Sequence, residues 1–209
     1  MNEIDFIVSE IKKIFRNDSS GHDVWHSLRV YNVALQIAET EHCNERVVAI
    51  AALLHDVDDL KLFKNDNYQN ARRIMFLAGI EDSVVQQVIE IIEQVSFKGN
   101  ESVIPDTIEG QIVQDADRLD ALGAIGIARA FAYGGAKGRD MYDPNILPLS
   151  DLNQEEYLNN KGTTINHFYE KLFLLKNMMN TDRAKKIAEK RDQFMHEYLA
   201  KFLDEWERI

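Results

Sequence analysis

AIAALLHDVDD, residues Ala49 to Asp59, is an apolar run that closes on His55 and Asp56, with Asp58 and Asp59 one step beyond. Its composition predicts a buried helix, and the small residues Ala49, Ala51 and Ala52 let a neighbouring helix approach closely. A carboxylate at the end of such a helix is costly to bury alone, and is usually paired or bound to a metal. His55 and Asp56 are therefore read as two ligands of one divalent ion. The missing ligands must come from elsewhere in the chain at sensible places.

Working outward, amphipathic runs of helical period fill most of the chain. Ile4 to Arg16 is a first helix, with Ile4, Ile7, Ile11 and Ile14 on one stripe. The second runs from about His22 to Thr40 and carries His26 on the same face as Val30, Val33 and Ile37. Asn44 caps the third, which holds the central stretch. Helices follow at about Tyr68–Ala78 and Ser83–Ser96, the latter with Asp82 as its cap. Thr107 to Tyr133 reads as one helix containing Asp115, Asp117 and Asp120, with Gly123 and Gly126 as close-packing positions. Tyr133 to Leu149 is the long irregular segment. Two helices, about Gln154–Met179 and Thr181–Arg208, close the chain, with Thr181 capping the second. With only 3 Pro and no repeat or linker, the expectation is a single all-α helical domain over residues 1–209.

Composition excludes several classes. There are 24 basic against 35 acidic residues, a net charge of −11, which argues against binding long nucleic acid. A small anionic substrate then needs locally concentrated cations or a metal. No apolar run approaches the roughly 18 residues that a membrane span requires. The amphipathic, acidic beginning is unlike a signal peptide. The single Cys43 excludes an internal disulfide framework and fits a reducing cytoplasm.

The chain thus offers His26, His55, Asp56 and at least one of Asp117 and Asp120, each on a helix with a strong apolar face. Two imidazoles with carboxylates suit Mn²⁺, Fe²⁺, Co²⁺, Ni²⁺ or Mg²⁺, with water at the open positions. One cysteine cannot supply a typical closed zinc site.

The segments GHDVWHSLRV (Gly21–Val30), ALLHDVDDLKL (Ala52–Leu62), QDADRLDALGAIGIARAF (Gln114–Phe131), YGGAKGRDMYDP (Tyr133–Pro144) and TTINHFYEKLFLLKNMMNT (Thr163–Thr181) occur in that order. Together they resemble the HD-domain superfamily of metal-dependent phosphohydrolases, and in detail its small bacterial nucleotide pyrophosphohydrolases. The resemblance runs from Gly21 to about Trp206. It implies an HD-domain helical bundle with a motif core at about 21–133 and C-terminal helices at 150–209 packing on it. It makes His26, His55, Asp56 and Asp117 the ligands of a single ion, Mn²⁺ foremost. Asp117 is preferred to Asp120 because it stands in the family's Ala116-Asp117-Arg118-Leu119 context. Asp59, three residues after Asp56, matches the position proposed to handle the catalytic proton, although the family more often has Glu there.

The resemblance also directs attention to cations that would bind phosphate: Arg29, Lys61, Lys137 and Arg139. Asp120 and Tyr169 are further substrate contacts, and Lys171, His22 and His167 lie in the same segments. The implied activity is hydrolysis of a nucleoside triphosphate to monophosphate and pyrophosphate by attack of a metal-bound water. A nucleoside monophosphate phosphatase, or another phosphomonoesterase or phosphodiesterase, would share the site. A nucleotide-sensing module would have lost turnover. The expected partner is a small nucleotide, with no membrane; a homodimer stays open.

Overall fold

A computed structural model describes residues 2–16, 23–58, 67–97, 101–150, 153, 155–156, 160 and 162–207. Among them every regular element is helical, and none is long and apolar enough to cross a membrane. The chain divides into two compact units, Met1–Phe97 with Ser102–Asp117, and Lys98–Glu101 with Arg118–Ile209.

The first unit is built around α3 (Glu45–Leu54), in which every residue from Val47 to Leu54 is buried. The Asn44 side chain starts it by accepting the Arg46 and Val47 amides at 3.2 and 3.3 Å. α1 (Glu3–Ile14), α2 (Val24–Ala38) and α5 (Asp82–Val95) pack against it. Arg46 ties three of these together. It makes a two-pronged contact with Glu3 at 2.7 Å and a third with Glu81 at 2.9 Å. α2 begins on Asp23, whose carboxylate accepts the His26 amide at 2.9 Å. α5 begins on Glu81 without a side-chain cap, and Asp82, expected as the cap, lies inside its first turn.

α4 (Gln69–Leu77) is started from a distance. Tyr68 before it is left-handed, and the buried Asp58 accepts the Asn70 and Ala71 amides at 3.0 and 2.9 Å. A carboxylate at a helix N-terminus meets free amides and the positive end of the dipole.

The helix expected from Thr107 to Tyr133 is two helices. α6 (Ile108–Asp120) ends in a tightened turn, in which the Ala121 and Leu122 amides bond the carbonyls of Arg118 and Leu119. Gly123 then adopts φ +71 and opens α7 (Gly123–Ala136). The left-handed conformation that glycine alone adopts freely ends the helix here.

In the second unit α7 packs on α8 (Asp182–Glu207) and on the turn Thr164–His167. Phe131 lies 6.1–6.3 Å, ring to ring, from Phe168, Tyr198 and Phe202. α7 extends through Ala136, so the irregular segment begins at Lys137, later than expected. The helix expected over Gln154–Met179 is interrupted, since Asn160, Gly162 and Thr163 are non-helical. Thr163 caps a new start, and the run continues as a π turn (Phe168–Leu172), an α turn (Phe173–Leu175) and a 3₁₀ turn (Lys176–Met178). Thr181 caps α8 as expected, accepting the Ala184 amide at 3.3 Å.

Candidate metal centre

The first unit gathers four side chains at one point. His26 comes from the first turn of α2, His55 and Asp56 from the end of α3, and Asp117 from α6. The two Nε2 atoms face each other at 3.1 Å, with the rings edge to face. His26 Nε2 lies 3.2 Å from Asp56 Oδ2 and 3.5 Å from Asp117 Oδ1. His55 Nε2 lies 3.5 Å from Asp56 Oδ1 and 3.6 Å from Asp117 Oδ1.

These spacings test the fit of a metal. Donors about 2.1 Å from a common ion stand about 3.0 Å apart at a right angle and about 3.4 Å apart at a tetrahedral angle. The observed separations match the edges of such a polyhedron. His26, His55 and Asp117 each offer one ligand atom within a mutual span of 4.8 Å.

The local fold also sets the chemistry of the donors. His55 Nδ1 donates to the Ala52 carbonyl at 2.8 Å, one of the carbonyls left free where α3 ends. That bond holds the proton on Nδ1 and turns the Nε2 lone pair inward, as a metal ligand requires. Burial disfavours a charged His55, but Asp56, then Asp117 and the Ala52 carbonyl, outweigh it and raise its pKa to about 10. Burial likewise opposes ionisation of Asp117, but the hydrogen bond and charge of His55, with His26, hold it down at about 2. The imidazoles are almost wholly buried, whereas the Asp117 side chain is 27% exposed, so solvent reaches the donors on that side.

Other residues named from the sequence have different places. Arg29 is half-buried on α2 and engaged with the surrounding protein. Asp120 is buried and paired with Arg129 at 2.8 Å. In the second unit, Lys137 and Arg139 lie over the Tyr133 ring, and Tyr169 is exposed with its ring 5.6 Å from Phe173. Lys171 and His167 are half-buried. Asp59, Lys61 and His22 lie outside the described residues. Sequence reasoning missed the Ala52 carbonyl, although a histidine just past a helix end is placed to find one. It also missed Asp58 as the support of α4.

Residues 24–122 match the HD-domain family model. YpgQ of Bacillus subtilis is 38% identical over 204 residues, 95% of this chain and 91% of its own. Its crystal structure in complex with ADP has a TM-score of 0.78 at 35% identity, covering 97% of this chain and 94% of that one. A crystal structure from Lactobacillus plantarum reaches a TM-score of 0.86 at 38% identity, covering 99% and 98% of the two chains. An HD-superfamily hydrolase of Bacillus thuringiensis is 42% identical, with a TM-score of 0.74 and coverages of 98% and 96%. The helical fold and the His–Asp centre mark a metal-dependent phosphohydrolase, and this chain belongs to the HD-domain family of such enzymes.

Proposed function

We propose that the enzyme cleaves nucleoside triphosphates between the α and β phosphates, releasing monophosphate and pyrophosphate. The observation that carries the reading is the inward convergence of His26, His55, Asp56 and Asp117 at coordination spacing. The complex of the relative YpgQ with ADP supports a nucleotide as the ligand. We assign Mn²⁺ as the resident ion, since two imidazoles and two carboxylates form a donor set of intermediate hardness. A divalent ion bound there supplies Lewis acidity toward a phosphoryl oxygen and an activated water.

The remaining work falls to the protein. His55, fixed by Ala52, would present its lone pair without reorienting, and Asp56 and Asp117 would balance the charge of the ion. We assign Asp59 to take the proton from the attacking water. Arg29, Lys61, Lys137 and Arg139 are the assigned phosphate-binding cations, with Asp120 and Tyr169 as further substrate contacts. The single Cys43 suits a cytoplasmic setting.

The test is a panel of nucleoside tri-, di- and monophosphates assayed with added Mn²⁺, with products resolved by ion-exchange chromatography. Monophosphate with pyrophosphate is the expected outcome. Diphosphate with orthophosphate, or nucleoside released only from monophosphates, would overturn the reading.

A further inference from the structure

In a chain with 35 acidic and 24 basic residues, cations normally find carboxylates. Lys137 and Arg139 have none among the described residues. Both sit instead over one ring, with Lys137 Nζ 5.6 Å and the Arg139 guanidinium 5.8 Å from the Tyr133 centroid. A half-buried aromatic face offsets only part of the repulsion between two like charges.

Arg139 is aimed by a second contact. Its Nη2 donates to the Asn160 carbonyl at 2.8 Å. Asn160 is itself held, since its Oδ1 accepts the Gly162 amide at 2.8 Å and its Nδ2 donates to Glu170 Oε2 at 2.7 Å. Glu170 is buried in the π turn, and its other oxygen accepts the Leu149 amide at 3.1 Å. A neutral carbonyl orients a guanidinium without neutralising it and leaves its other N–H donors for a ligand. Around Gly135 and Gly138 there is open space.

We propose that Tyr133, Lys137 and Arg139 form an oligophosphate-binding site within the second unit, and that Asn160, anchored by Glu170, is the positioning residue for Arg139. The choice of ligand rests on the nucleotide reading above. An anion with several charges engages both cations at once, and the planar fork of Arg139 matches two phosphate oxygens.

Calorimetric titration of the full chain with inorganic tripolyphosphate, in metal-free buffer at low salt, tests the site apart from catalysis. The wild type should bind, and more weakly as salt rises. Lys137→Ala and Arg139→Ala should each weaken binding about tenfold. Tyr133→Leu and Asn160→Ala should weaken it several-fold, and Tyr133→Phe should restore it. Lys137 is exposed and, among the described residues, its amine meets the Tyr133 ring alone, so Lys137→Ala stays informative even if a loop variant unfolds. Absence of binding, or equal affinity in wild type, Lys137→Ala and Arg139→Ala, overturns the site and with it the assignment of these two cations to phosphate, while the cleavage position is still decided by the product assay. Binding with the expected variant pattern, but no pyrophosphate from any triphosphate, keeps the site and removes that reading.

Discussion

His55 shows how much of the centre depends on single atoms. Its Nδ1 is occupied by a backbone carbonyl and its Nε2 points at three other donors. His55→Ala and Asp56→Ala should therefore lose bound metal and nearly all hydrolysis while keeping the helical circular dichroism signal. Full metal-dependent turnover in purified His55→Ala would refute the assignment. The two aspartates separate just as clearly. Asp117 faces both imidazoles, whereas Asp120 is paired with Arg129. Asp117→Asn should weaken metal binding far more than Asp120→Asn, and equal metal titrations would contradict this. The pKa of His55, raised by the two carboxylates, also gives a sign. Below about pH 10 a proton competes with the ion, so metal affinity should rise with pH across the neutral range and binding should release protons. A pH-independent affinity would count against His55 as a ligand. The ligand candidates were legible because polar residues on otherwise apolar helices stand out. The Ala52 carbonyl was hidden because every residue carries one.

At the scale of elements, apolar periodicity located the helices and cap residues such as Asn44 and Thr181 located several of their ends. The break between α6 and α7 escaped because a glycine within a helical pattern has two explanations, close packing and a left-handed turn. Gly123 is the second kind, with φ +71, and an added Cβ would sit 3.1 Å from the Arg191 side chain. Gly126 is more constrained, because its Cβ would fall 2.1 Å from the Ala121 carbonyl, a backbone atom with little room to yield. Gly123→Ala should cost about 1–2 kcal/mol, and Gly126→Ala more. Urea denaturation of both variants checks the order, and a stabilised Gly126→Ala would show that the break is misread. The Asp82 cap was misplaced by one residue because Glu81 and Asp82 are both acidic and only backbone geometry separates them.

For the whole molecule, composition bears on which partners the chain would take. A net charge of −11 disfavours condensation on a polyanion, since there is little counterion release to drive it. Electrophoresis with duplex DNA at physiological salt should show no shift, and a salt-sensitive shift would reveal a basic surface missed in the totals. The all-helical class followed from scarce breakers and sustained periodicity. The family followed from five motif segments in order, which no bulk property contains. The division into two compact units was not legible, because its boundary falls inside α6 between Asp117 and Arg118 with no linker, proline or shift in composition to mark it.

Asp58 has a consequence for how such a protein can vary. By gripping the amides of Asn70 and Ala71, it staples together the two ends of the stretch that follows the His–Asp pair. Doubling the length of a closed stretch costs only about 0.6 kcal/mol in chain entropy. The staple would carry the geometry across whatever lies between. The end of α3 and the start of α4 are thus held to each other by one carboxylate, whatever sequence joins them.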